Sequence, residues 1–371
     1  MLLPNFEEKF KIMKAAILES FGSPLSVEQM EAPKPGTGEV IVKVVAAPVP
    51  HYAKEVFSGE RKYLLNLPQV PGAGAVGKVL AVGPDATSLK PGDWVLCDPT
   101  VRSRDDAFTP DITLQGLSAR GEGGLKLQEY YRNGSFAEEM MVPTENAIKI
   151  GEIAPDEAST WCALNTFLVP FGGLLSIGLK AGETVVISGA TGYFGSAAVA
   201  LALAMGAGYV IAPGRNQAVL DELITRFGGR VKPVTLTGEE SSDIENIQKA
   251  SPNPIDCVLD ILPPFADAKA VRTAIMTVRE YGRISLMGGV GMLGGDGLIL
   301  SYPWMMRNSI TIKGQWMYAR EAPQQLIAIV KSGLLSLELF KISEFDLDNI
   351  NNAIEYAAKE KGAFKLTVVR P

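Results

Sequence analysis

The sequence predicts an α/β protein in which a mostly β domain precedes a doubly wound parallel sheet. Three observations carry this prediction. A strand, a glycine-rich loop and a long apolar helix follow one another from Glu183 to Met205. After about residue 155, strand-like and helix-like runs alternate, a pattern that builds a parallel sheet with helices on both faces. Before it, short strand-like runs are separated by Pro and Gly turns, the texture of a compact β domain. With 371 residues the chain can form two domains, each with its own core.

In the first domain the strand signals include Val40-Ile41-Val42-Lys43-Val44-Val45 and Trp94-Val95-Leu96. Turn signals fall at Pro35-Gly36, Gly83-Pro84 and Pro91-Gly92-Asp93. In the second, strands are expected at 184–188, 209–212, 231–235, 256–260 and 283–287, with a further edge strand at 309–314. A helix at 321–333 and a strand at 365–369 are expected to rejoin the β domain.

Composition narrows the function. The net charge is −6 and no basic cluster occurs, so nucleic acid is not an expected partner. Cys97, Cys162 and Cys257 are widely spaced and odd in number, which gives neither a disulfide framework nor a metal knuckle and fits a reducing cytoplasm. The N-terminus alternates charged and apolar residues, unlike a signal peptide, and the long apolar run at 197–212 reads as a buried helix and strand. No membrane span is expected.

The glycine-rich loop carries the chemistry. The strand ends at Ser188, and Gly189-Ala190-Thr191-Gly192-Tyr193-Phe194-Gly195 then lets the backbone turn tightly and approach a diphosphate. The following helix aims its unpaired N–H groups and positive dipole end at the anion. The alternative is a tight turn that binds nothing. At the end of the next strand, where an acidic residue would hold the ribose of NAD, the chain has Gly214-Arg215-Asn216 and no carboxylate before Asp221. A guanidinium there can fork onto a 2′-phosphate, so NADP(H) is expected, unless Arg215 is an ordinary solvated side chain. The missing acid also argues against a methyltransferase.

Met13-Lys14-Ala15-Ala16, the run Val70–Val79, Leu89-Lys90-Pro91-Gly92-Asp93 and Gly134-Ser135-Phe136-Ala137-Glu138 occur in an order that resembles the medium-chain dehydrogenase/reductase superfamily. The resemblance implies a GroES-like β-barrel catalytic domain, residues 1–160 and 315–371, interrupted by a Rossmann NADP-binding domain, 161–314. It implies a homo-oligomer, commonly a dimer joined edge to edge through the nucleotide domains. It also implies that Gly288-Gly289-Val290 meets the nicotinamide edge, Gln315-Trp316-Met317 its carboxamide, and Thr166 orients the ring.

The chain departs from the family's zinc alcohol dehydrogenases. Their first Cys ligand falls on Pro50, their His-Glu pair falls on Gly72-Ala73, and the lobe 98–133 has no cysteine. Only Cys162 keeps a thiol, and a catalytic zinc needs three protein ligands, so a metal-free enzyme is expected and Cys162 reads as a small buried hydrophobe. Without a Lewis acid, an enone or quinone is an easier acceptor than a simple ketone, because the incoming charge spreads into a less basic enolate or phenolate. The expectation is NADPH-dependent reduction of an activated C=C bond or a quinone, with a metal-free carbonyl reductase or alcohol dehydrogenase as the alternative. A non-catalytic NADPH-binding protein is a third reading.

His51 and Tyr52 sit in the loop that lines the family's catalytic cleft. Tyr52 is a candidate proton donor with His51 as its relay, or else a pocket wall beside a surface histidine. Tyr63 and Tyr193 are weaker candidates. Trp304, Trp316, Met317 and Tyr318 would add apolar wall for a hydrophobic or conjugated substrate, Trp304 reading equally as core or interface.

Overall fold

A computed structural model describes residues 11–371. Residues 1–10, and with them most of the N-terminal stretch read as unlike a signal peptide, lie outside the described residues.

In chain order the first part comprises β1 (Ile12–Ile17), β2 (Ser26–Glu31), β3 (Glu39–Val49), α1 (Ala53–Phe57), β4 (Ala75–Val82), β5 (Trp94–Cys97), β6 (Thr100–Arg102), β7 (Ile112–Leu114), β8 (Ser118–Ala119), α2 (Gly121–Tyr130), β9 (Glu139–Pro143), β10 (Ala147–Lys149) and α3 (Ala158–Trp161). There follow α4 (Ala163–Ser176), β11 (Thr184–Ser188), α5 (Tyr193–Ala204), β12 (Tyr209–Gly214), α6 (Gln217–Phe227), β13 (Val231–Thr235), α7 (Glu240–Ala250), β14 (Cys257–Asp260), α8 (Ala268–Ile275), β15 (Arg283–Leu286), α9 (Tyr302–Arg307), β16 (Thr311–Gly314) and α10 (Ala322–Lys331). The chain closes with β17 (Lys341–Asp346), α11 (Ile350–Lys359) and β18 (Lys365–Arg370).

Two compact units result. The first takes the described residues up to Cys162, with Ile342–Glu360 and Leu366–Pro371; the second takes Ala163–Lys341 and Lys361–Lys365. In the first, a seven-stranded sheet runs in the order β10-β5-β4-β3-β18-β17, with β9 also paired to β3. Its β3 pairs antiparallel with β4, β9 and β18. The closing strand thus returns to the β unit as expected, setting Thr367 opposite Val49. A separate three-stranded sheet, β6-β7-β8, lies in the cysteine-free lobe 98–133.

In the second unit six strands run β13-β12-β11-β14-β15-β16, every neighbouring pair parallel. The order reverses between β11 and β14, the switch point where ligands bind beyond the carboxyl ends of such sheets. Each residue of β11 and β14 is buried, as expected of strands covered on both faces. Val186, Ile211, Val258 and Ile284 form the core with Ile247 of α7 and Val271, Ala274 and Ile275 of α8.

Residues 315–341 cluster with this second unit, whereas the sequence reading returned the chain to the β domain at 315. The reason is local: β16 adds to the sheet beside β15 and α10 packs on α4. The one helical stretch among the described residues long and apolar enough to cross a membrane is Ala158–Ser176, of which 72% is buried inside the protein. The apolar run singled out in the sequence, 197–212, forms α5 and β12.

Candidate functional site

The glycine-rich loop leaves β11 with Gly189 at φ +95°, in the left-handed region. Gly192 then caps α5 in an extended conformation (φ −87°, ψ 176°) with no side-chain cap. A Cβ on Gly195 would stand 1.9 Å from the Gly189 carbonyl oxygen, and one on Gly214 would stand 2.4 Å from Thr191 Cγ2. The loop is folded so tightly on itself and on the end of β12 that no side chain fits at these points. Such a cradle at a helix N-terminus fits the pyrophosphate of a dinucleotide.

Tyr193 opens α5, and its hydroxyl lies 2.6 Å from the Thr166 Oγ1 of α4. Its ring packs edge-on against Phe194 and Phe340. Tyr193 therefore ties the loop to α4, where Thr166 is 2% exposed.

Beyond β12, Arg215 is exposed and no carboxylate adjoins it in sequence. Asn216, expected at the coenzyme, also has a structural task. Its side-chain oxygen accepts the Val219 N–H at 3.3 Å and caps α6.

At the ends of β14 and β15, a Cβ on Gly288 would lie 2.6 Å from Asp260 Oδ2 and one on Gly289 2.7 Å from Pro264 Cγ. The Gly289 N–H donates to the Leu262 carbonyl at 2.9 Å, and Val290 packs against the core. After β16, Gln315 N–H donates to the Leu286 carbonyl. Met317 adopts a left-handed backbone (φ 58°), costly for a residue with a side chain and therefore held by its surroundings. Trp316 is 42% exposed, Tyr318 is buried, and Trp304 packs against the core cluster. Asp260, buried among these turns, is the one residue here that sequence reading passed over as chemistry.

In the first unit Tyr52 precedes α1, with the Arg61 guanidinium carbon 4.3 Å from its ring centroid and the His51 ring edge-on at 5.2 Å. Arg61 is itself fixed by an ion pair with Glu55 at 2.8 Å. His51, Tyr52 and Tyr63 are all half-buried.

Two family models match the chain: an alcohol dehydrogenase GroES-like domain over residues 36–152 and a zinc-binding dehydrogenase over 194–332. The chain is 30% identical over 274 residues to an alcohol dehydrogenase of Geobacillus stearothermophilus, covering 68% of this chain and 78% of that one. This chain is a medium-chain dehydrogenase/reductase. It joins a GroES-like domain to a Rossmann-like sheet and is an NAD(P)-dependent oxidoreductase. It is also similar to an acryloyl-coenzyme A reductase of Metallosphaera sedula, at 32% over 200 residues, or 53% of this chain and 57% of that one. Two solved structures share the fold: a dehydrogenase of Sinorhizobium meliloti bound to NADP (TM-score 0.77, 20% identity, 97% of this chain and all of that one) and an alcohol dehydrogenase of E. coli complexed with NADH (TM-score 0.76, 21% identity, 97% and 99%).

One matched family is described as zinc-binding, so the donors present in this medium-chain dehydrogenase/reductase matter. Among the described residues no group of three or more His, Cys, Asp or Glu side chains could hold a metal. Cys162 is fully buried, and burial pushes its thiol well above the ordinary range even though the Val76 backbone N–H reaches it.

Proposed function

We propose that this oxidoreductase uses NADPH to reduce an activated C=C bond or a quinone without a metal. The observation that carries the reading is the absence of a metal-donor cluster among the described residues. The end of β12, with an exposed Arg215 and no adjoining carboxylate, supports NADP(H) over NAD(H).

Bound NADPH supplies the hydride. Gly189, Ala190, Thr191, Gly192, Tyr193, Phe194 and Gly195 hold the pyrophosphate, and Arg215 holds the 2′-phosphate. Gly288, Gly289 and Val290 meet the nicotinamide edge, Gln315, Trp316 and Met317 its carboxamide, and Thr166, tied to Tyr193, orients the ring. Tyr52 donates to the substrate oxygen, with its ring held by Arg61 and His51. The substrate is a hydrophobic or conjugated carbonyl, because charge spread into an enolate or phenolate needs only such a donor.

A Tyr52→Phe change is expected to lower kcat at least about tenfold with KM little changed, as loss of a proton donor does. A fall below about threefold in steady-state assays would leave Tyr52 a wall. A second reading, oxidation of alcohols or reduction of simple carbonyls, is favoured by the similarity to alcohol dehydrogenases. NADPH consumption with a panel of enones, quinones, aldehydes and ketones separates the two readings. Turnover confined to simple aldehydes and ketones overturns the first, and no turnover with any of them leaves a protein that only binds coenzyme.

Assembly as a dimer through β16 belongs to the same proposal. That strand is the sheet's edge, and nearby Ile299 and Tyr302 are each 73% exposed. A reducing cytoplasm suits three buried cysteines that form no disulfide.

A further inference from the structure

Asp260 ends β14 with 2% exposure. Its carboxyl lies beside the Ser188 hydroxyl and the backbone N–H groups of Leu262 and Gly288, which favour its ionised form, and a Cβ on Gly288 would stand 2.6 Å from its Oδ2. These donors belong to three segments at one end of the sheet: Ser188 closes β11 and leads into Gly189, Leu262 leaves β14, and Gly288 follows β15. Backbone bonds stitch the same segments together, Ile261 N–H to Ser188 O at 3.1 Å and Met287 N–H to Asp260 O at 3.0 Å. Its Oδ1 is buried with no hydrogen-bond partner among the described residues. A carboxyl so placed burdens the fold that contains it.

We infer that Asp260 is a positioning residue for the dinucleotide, whose carboxylate locks the phosphate loop, the exit of β14 and the Gly288-Gly289 turn into one rim. The inference rests on the coenzyme site proposed above. All three contacts are donors, so the ionised carboxylate holds the rim and the protonated acid holds it less well.

Burial pushes this carboxyl up to about 7. No charged side chain contributes to that shift. Neither β11 nor α4 carries an ionisable side chain other than hydroxyls. Arg283 of β15 pairs with Glu183, and Asp256, just before β14, pairs with Arg279, all at the opposite, amino-terminal end of the strands. Of the charges on α8, Arg272 pairs with Glu240 and Lys269 reaches the Gly238 carbonyl.

The folded value lies above the unfolded one, so ionisation takes stability from the fold as pH rises from about 4 to about 7. Grip on the rim strengthens over the upper part of that range. A merely structural carboxyl would move only the first quantity.

The test is the Kd for NADH, which lacks a phosphate monoester titrating in this window, measured by fluorescence from pH 5.5 to 8.5 beside the melting temperature of the unliganded protein. Wild-type Kd is expected to fall by about tenfold between pH 6 and pH 8, within the limit of one proton. Asp260→Asn is expected to bind at the weak, pH-independent level while melting higher than wild type above pH 7. Ser188→Ala, having lost one donor, is expected to move the midpoint upward. Should Asp260→Asn fail to fold, the wild-type and Ser188→Ala profiles still decide. Binding that is flat with pH, or an Asp260→Asn protein that binds like wild type at pH 8, overturns the inference alone. No binding at any pH overturns the coenzyme site and the inference with it.

Discussion

Replacing Gly195 with alanine is expected to abolish measurable coenzyme binding and to lower stability by about 1–3 kcal/mol. Two effects oppose each other at this helical position. Alanine favours a helix over glycine by roughly 0.5–1 kcal/mol. Against that, the new Cβ would stand 1.9 Å from the Gly189 carbonyl oxygen, a backbone atom that cannot rotate away. The overlap wins, because relief requires α5 and the Gly189 turn to separate, and that turn is the proposed phosphate cradle. Thermal unfolding and titration with NADPH read the two consequences separately. A variant as stable as wild type that binds normally would mean that the loop yields freely and that its tight folding is not what shapes the cradle.

Replacing Arg215 with alanine is expected to weaken NADPH binding by roughly tenfold to a hundredfold while changing NADH binding less than about twofold. The guanidinium is exposed, so its removal leaves no cavity and disturbs no core. Its neighbours limit the damage further: Asn216 keeps its cap on α6, and Gly214 keeps its contact with Thr191. What is lost is a fork of charge-assisted donors for a phosphate monoester. Equal losses for both coenzymes, or none for either, would remove Arg215 from the site and reopen the choice of coenzyme.

The parallel sheet was legible because buried strands write themselves as unbroken apolar runs. Thr184–Ser188 and Val231–Thr235 were placed to the residue, and the edge strand was expected only two residues too early, since it starts at Thr311. The loop was legible because glycine has few substitutes where backbone meets backbone. By contrast, β6, β7 and β8 are two or three residues each, too short for any period to show. The helix α2 carries three glycines, and its Gly123 and Gly124 face Asp111 and the Ile112 carbonyl from parts of the chain no local pattern could relate. The cap that Asn216 places on α6 was not read from the sequence, because it depends on where that helix begins. Asp260 was visible as the last residue of an apolar strand, but its significance lies in Ser188, Leu262 and Gly288, which only the folded sheet assembles around it.

Reduction without a metal is put to the test by NADPH oxidation by an enone after exhaustive chelation. The chelated protein is expected to turn over at the rate of the untreated one, and added zinc is expected not to raise that rate. Loss of turnover on chelation, restored by stoichiometric zinc, would contradict metal-free reduction.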